Sequence, residues 1–130
     1  QRAGAQAARH RDERNSVWST IEAPNDVIAA IENAAQIGDV CLVDCLTLWL
    51  SNLMHHGFDV DQEIARLCDC LEHPPISTIL VSNEVGLGLV PETPLGRAFR
   101  DHQGRLNQAV AATCQRVEFI AAGLSLTLKG

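Results

Sequence analysis

The 130 residues amount to one domain, and with 46% hydrophobic but only 4% aromatic content the core must come from Leu, Ile, Val and Ala. A net charge of −6 at pH 7 argues against a broad nucleic-acid footprint, although local arginine clusters suit a small polyanion such as a nucleotide. No apolar run is long enough to cross a bilayer, no stretch reads as a secretory signal, and the five cysteines lack the spacing of a disulfide framework, so a cytoplasmic, reduced protein is the expectation.

Residues 1–14 are Ala-rich with good helix formers and no N-cap ahead of them, which reads as a helix already under way at Gln1. Within it, Arg9-His10-Arg11-Asp12-Glu13-Arg14 is a dense ionisable run. On a helix His10 and Arg14 share a face, and Glu13 lies close to it. Cationic neighbours disfavour the imidazolium, leaving His10 neutral and available as a nucleophile. The same arginines suit phosphate oxygens, and Glu13 suits the other ring N–H. The plainer alternative is a solvated helix face with internal ion pairs.

A short strand is expected over 17–22, a turn over 23–25, and a helix over 26–36 that turns Val27, Ile28, Ile31 and Ala35 to one side. Residues 40–44 form a continuous apolar run ending in Asp44, the pattern of a strand covered on both faces. Helices follow over 47–54 and 61–71, the second broken by Pro74-Pro75. Cys68, Cys70 and His73 make a poor metal site, because residues two apart on a helix diverge. A strand over 77–82, a long helix over 93–114, and strands over 117–122 and 124–128 complete the chain. Strands alternating with helices predict an α/β fold, a mainly parallel sheet with helices on both faces.

Ligands of open α/β sheets bind just past the carboxyl ends of the strands. Asn83-Glu84 stands at such an exit, followed by Gly86 and Gly88, which permit close backbone approach; an ordinary turn is the alternative. Asp44 ends its strand as a Mg²⁺-holding acid does in P-loop phosphotransferases, or else caps the next helix. The long helix carries a polar stripe with Arg97, Arg100, Asp101 and Asn107 opposite Leu95, Phe99, Leu106 and Val110. Gly104 in mid-helix implies a close approach by a ligand or another backbone.

In chain order these segments are His10-Arg11-x-x-Arg14, Trp18-x-Thr20-x-Glu22-x-Pro24, Val43-Asp44-Cys45-Leu46-Thr47-Leu48-Trp49, Ser82-Asn83-Glu84-Val85-Gly86-Leu87-Gly88, and Gly96-Arg97-x-Phe99-Arg100-Asp101. Together they resemble the bifunctional adenosylcobinamide kinase/adenosylcobinamide-phosphate guanylyltransferase family of bacterial cobalamin synthesis, over almost the whole chain. The resemblance implies a P-loop NTPase-like (RecA-like) fold and two reactions. A nucleoside triphosphate (ATP or GTP) phosphorylates adenosylcobinamide, and GTP then gives its GMP to adenosylcobinamide phosphate. By the same resemblance His10 carries the guanylyl group, and Arg11, Asp12, Glu13, Arg14, Glu22 and Asp44 belong to the GTP site. Asp44 is also the Mg²⁺-associated position. Asn83, Glu84, Arg97 and Arg100 are expected as active-site walls, and a homo-oligomer, by resemblance a trimer, is implied.

The family opens with a strand and a Gly-rich phosphate loop, and these 130 residues contain none. The expectation is therefore a single domain over 1–130 that is the carboxyl-terminal portion of such an enzyme, N-terminally truncated and impaired in both reactions. Two alternatives stand beside it: a non-catalytic α/β module that binds nucleotide or a partner, and a recombinase-like ATPase sharing Asp44 but not the His10 cluster.

Overall fold

The computed structural model describes residues 18–130. The helix expected over 1–14, with His10, Arg11, Asp12, Glu13 and Arg14, lies outside the described residues. Residues 18–22 form no strand, which corrects the expectation for the described part of 17–22.

The first helix, α1 (Val27–Ala34), starts where the Asp26 carboxylate accepts the Ala29 N–H at 3.0 Å, and it buries Val27, Ile28 and Ile31. Strand β1 (Val40–Asp44) leads into α2 (Leu46–His55), whose Leu46, Trp49, Leu50 and Leu53 recur at helical spacing and are all buried. Helix α3 (Val60–Glu72) is capped by Asp59, which accepts the Gln62 N–H at 3.1 Å. Strand β2 (Ser77–Val81) follows, then α4 (Pro94–Thr113), capped by Thr93 Oγ1 on the Gly96 N–H at 3.0 Å with proline at the helix start. Strands β3 (Val117–Ala121) and β4 (Leu124–Lys129) end the chain.

One core joins the four helices. Ile31, Leu46, Leu50, Leu53, Leu67 and Leu106 are fully buried, and Cys41, Val43 and Leu80 pack against them from the strands. Each such burial stabilises by roughly 1.5–3 kcal/mol. Strands β1 and β2 pair in parallel, in a register running from Val40 opposite Ser77 to Asp44 opposite Val81. The two strands therefore end side by side, and Ser82-Asn83-Glu84 begins one residue beyond.

Two features of the sheet bear on the expected mainly parallel sheet with helices on both faces. Helices were expected on both faces, but among the described residues they cover one. The alternate side chains Val40, Leu42, Ile79 and Val81 are 40–56% exposed. The crossover from β1 through α2 and α3 to β2 lies on a single side, as one parallel connection must, and α4 joins the same layer. The last two strands do not extend the parallel pair. They form an antiparallel hairpin of their own, because Ala122 and Gly123 both take positive φ (53° and 75°), the geometry of a two-residue mirror-image turn. Lys129 Nζ ties this hairpin to α4, donating to the Ala111 and Ala112 carbonyls at 3.0 and 2.9 Å. A cation there also complements the helix C-terminus.

Candidate active site at the carboxyl ends of the parallel strands

The corner after β2 is gripped through its backbone from two sides. The Asn83 N–H donates to Thr47 Oγ1 on the first turn of α2 at 3.0 Å, and the Asn83 carbonyl accepts from Asn107 Nδ2 on α4 at 3.0 Å. With both main-chain groups committed, the exposed Asn83 side chain projects from a fixed peptide frame. Asn107 Oδ1 in turn accepts from Ser82 Oγ at 2.6 Å and from Gln103 Nε2 at 2.9 Å.

The Glu84 carboxylate hooks forward onto the Gly86 N–H. A Cβ at Gly86 would come within 2.8 Å of Glu84 Oε1, so any side chain there would push the carboxylate off this hook. The arginines expected as walls brace the loop. Arg100 donates to the Gly86 carbonyl, and Arg97 Nη1 donates to the Pro91 and Glu92 carbonyls at 3.1 and 3.0 Å. Guanidinium groups that satisfy main-chain carbonyls hold a loop in shape while keeping their charge at its edge. Among the described residues no other backbone approaches Gly104: nothing lies within 4 Å of a Cβ placed there.

Asp44 stands exposed at the end of β1, beside Val81. Its alternative role as a helix cap is not what the structure contains. The N-cap of α2 is Cys45, with no side-chain cap bond, and the Asp44–Cys45 peptide is cis. Among the described residues the Asp44 carboxylate has no hydrogen-bond or ion-pair partner. No cluster of three or more His, Cys, Asp or Glu able to hold a metal occurs among the described residues. A lone strand-end carboxylate nonetheless fits Mg²⁺, which takes one or two protein carboxylates and draws its other ligands from substrate phosphates and water.

Glu22 belongs to a second region. Beside it, the loop at Pro24 and Asn25 is fastened along α2. Trp49 Nε1 donates to the Asn25 carbonyl at 2.8 Å, Asn52 Nδ2 donates to the Pro24 carbonyl at 3.1 Å, and His56 Nδ1 lies 3.1 Å from Asn25 Oδ1. Glu22, Asn25, Ala29 and Asn33 line an open groove of about 280 Å³ here. Helix α2 is what the two regions share: its first turn meets the Asn83 corner, and its later turns hold the Glu22 loop. The structure thus brings Asp44, Asn83, Glu84 and Arg100 to one edge and keeps Glu22 on a neighbouring flank.

Sequence reasoning missed Thr47 and Gln103. Thr47 stands in the first turn of an apolar helix, and nothing local marks it as the partner of a main-chain group 36 residues away. Gln103 is fully buried, and a glutamine beside Leu106 and Val110 on a buried helix face was the available signal. Its Oε1 is the one buried side-chain oxygen or nitrogen without a partner among the described residues, at a cost of roughly 1–3 kcal/mol.

Parallel strands that end together, connected through helices packed on one face, make this a mixed α/β protein. Residues 4–128 match the family model described as cobinamide kinase / cobinamide phosphate guanyltransferase. The bifunctional adenosylcobalamin biosynthesis protein CobP of Pseudomonas aeruginosa is 45% identical over 129 residues, which cover 98% of this chain and 75% of that protein. Proteins of the same description, named CobU, are 32% identical in Escherichia coli and 31% in Salmonella typhimurium, over 96% of this chain and 77% of theirs. The chain belongs to the cobinamide kinase/cobinamide phosphate guanylyltransferase family, whose members are transferases of cobalamin biosynthesis.

Proposed function

We propose that this chain carries the guanylyl-transfer machinery of the family on His10, with Asp44 and the Asn83-Glu84 corner serving the phosphates. The neutral His10 ring attacks the α-phosphorus of GTP; the bond to the β-phosphate oxygen breaks and pyrophosphate leaves. A phosphate oxygen of adenosylcobinamide phosphate then attacks the same phosphorus, the P–N bond breaks, and adenosylcobinamide-GDP forms. Arg11, Asp12, Glu13 and Arg14 flank the histidine, and Glu22 joins them in holding GTP. Asp44 is the residue to hold Mg²⁺, which when bound screens the phosphate charge. The preceding reaction, phosphorylation of adenosylcobinamide by ATP or GTP, draws on the same strand ends. Arg97 and Arg100 act as walls by keeping the 86–92 loop in shape.

The carrying observation is that the parallel register sets Asp44 opposite Val81, one residue before the Ser82-Asn83-Glu84 corner, in a chain matched to the family over residues 4–128. The 130 residues contain no Gly-rich phosphate loop, and positioning dominates phosphoryl-transfer catalysis, so this polypeptide assayed alone is slow in both reactions. We read it as one domain that works in a homo-oligomer, in the cytoplasm.

Incubation of the chain with Mg²⁺ and α-labelled GTP tests this. The expected result is sub-stoichiometric, acid-labile and alkali-stable label that disappears in His10→Ala and is not formed from α-labelled ATP. Equilibrium GTP binding with no label at all would establish the non-catalytic module instead. Stoichiometric labelling within seconds would overturn the slow-transfer expectation.

A further inference from the structure

Gln103 lies in the middle of α4, fully buried, and its amide closes a hydrogen-bond ring. Its Nε2 donates to Ser82 Oγ and to Asn107 Oδ1, both at 2.9 Å, while Ser82 Oγ donates to the same Asn107 oxygen at 2.6 Å. The direction of the ring is imposed from outside it. A main-chain carbonyl only accepts, so the Asn83 carbonyl obliges Asn107 to turn Nδ2 toward it, at 3.0 Å. Asn107 Oδ1 then faces Ser82 and Gln103, and Gln103 must answer with nitrogen. Its own oxygen is left buried and unpaired. An apolar side chain of similar shape would fill this place without that penalty, so what singles out glutamine is the pair of donors it presents.

We propose that Gln103 is a positioning residue for the transfer site. By holding Ser82 and Asn107 in one orientation it fixes the rotation of the Asn83–Glu84 peptide group, and with it the aim of Glu84. This rests on the reading of Asn83 and Glu84 as walls of that site. The anchor is rigid because the same corner is also pinned by Thr47 from α2.

Gln103→Glu supplies a readout that a merely structural role does not move. An ionised carboxylate there has only acceptors to offer Ser82 Oγ and Asn107 Oδ1, whereas a protonated one regains a single donor. Burial favours the protonated form, so the variant works at low pH and fails as pH rises. The assay uses the full ¹⁵N-labelled chain, following the Asn107 side-chain amide and the Glu84 backbone N–H by NMR, alongside the rate of GTP-dependent His10 labelling at each pH relative to wild type. In Gln103→Glu the two NMR signals and the labelling rate should move with one midpoint, the rate falling about ten- to a hundredfold. Gln103→Met should be slow at every pH, with no midpoint.

Absence of any titration at the corner overturns the proposal. Titration of the corner with unchanged labelling overturns the reading of Asn83 and Glu84 as walls, and the two failures are thereby told apart. Should the Gln103 variants not fold, Ser82→Ala opens the ring from the loop side without touching the core. It should displace the same two signals and slow labelling; unaltered labelling with displaced signals again counts against the wall.

Discussion

Thr47 and Asn83 stand 36 residues apart in the chain, yet the hydroxyl oxygen of one receives the main-chain N–H of the other at 3.0 Å. The contact joins the first turn of α2, just after Asp44, to the loop that leaves β2. It ties the two strand exits to each other. Replacing Thr47 with valine keeps the shape and removes the acceptor. The expected cost is about 1 kcal/mol of stability, read from urea unfolding. A larger proportional loss should appear in His10 labelling. Thr47→Ser keeps the oxygen and should stay near wild type in both measurements.

The core makes a second prediction. Leu50 has no exposed surface and packs among side chains from the other helices, so Leu50→Ala leaves a cavity with few routes to collapse. A loss of about 2–5 kcal/mol is expected by denaturant unfolding. Asp26→Ala, which removes only the cap on α1, should cost about 1 kcal/mol. A reversed order would mean that α1, rather than the Leu50 layer, anchors the fold.

The elements most legible in the sequence were those with a local cause. The helices expected to begin at 26, 61 and 93 begin at Val27, Val60 and Pro94, each just after a side-chain cap (Asp26, Asp59 and Thr93), because helix starts depend on nearest neighbours. The apolar spacing of Leu46, Trp49, Leu50 and Leu53 likewise states which face of α2 is buried. Sheet assembly was not legible. Residues 117–128 read correctly as two strands, but their pairing into a separate hairpin depends on two positive-φ residues, one of them an alanine that gives no turn signal. At the candidate site, position in the sequence marks Asp44 and Asn83-Glu84 as strand-end candidates, and the parallel register puts those strand ends side by side. Thr47 and Gln103 are not so marked, because their roles come from partners 36 and 21 residues away.

Thiol chemistry checks the burial pattern. Burial pushes the Cys41, Cys70 and Cys114 thiols above the ordinary cysteine range. Since the thiolate is the nucleophile, these three should alkylate slowly at neutral pH in the folded chain and promptly in urea. Mass spectrometry after iodoacetamide treatment reads each site separately. Rapid modification of Cys41 without denaturant would show that the packed face of β1 opens readily.

The hairpin carries a pH dependence of known sign. The Glu118 carboxylate accepts from Ser125 Oγ at 2.6 Å, and Arg116 Nε lies 3.4 Å away, so its pKa is lowered, chiefly by the Ser125 hydrogen bond and then by Arg116. A carboxylate with a depressed folded-state pKa adds stability that is fully present above its unfolded pKa and is lost as pH falls through the folded one. The window therefore lies below the ordinary glutamate range, on the acid side of neutrality. Glu118→Gln keeps a polar group of similar size but cannot titrate. Wild type should exceed this variant near neutral pH, and the gap should close as the pH falls through that window. The Ser125 and Thr127 amide signals report the hairpin directly, apart from the titration of other carboxylates. Because the pair is exposed, added salt should narrow the gap at neutral pH through its Arg116 part, leaving the Ser125 bond. A gap that widens in acid would mean the charged form of Glu118 opposes the hairpin.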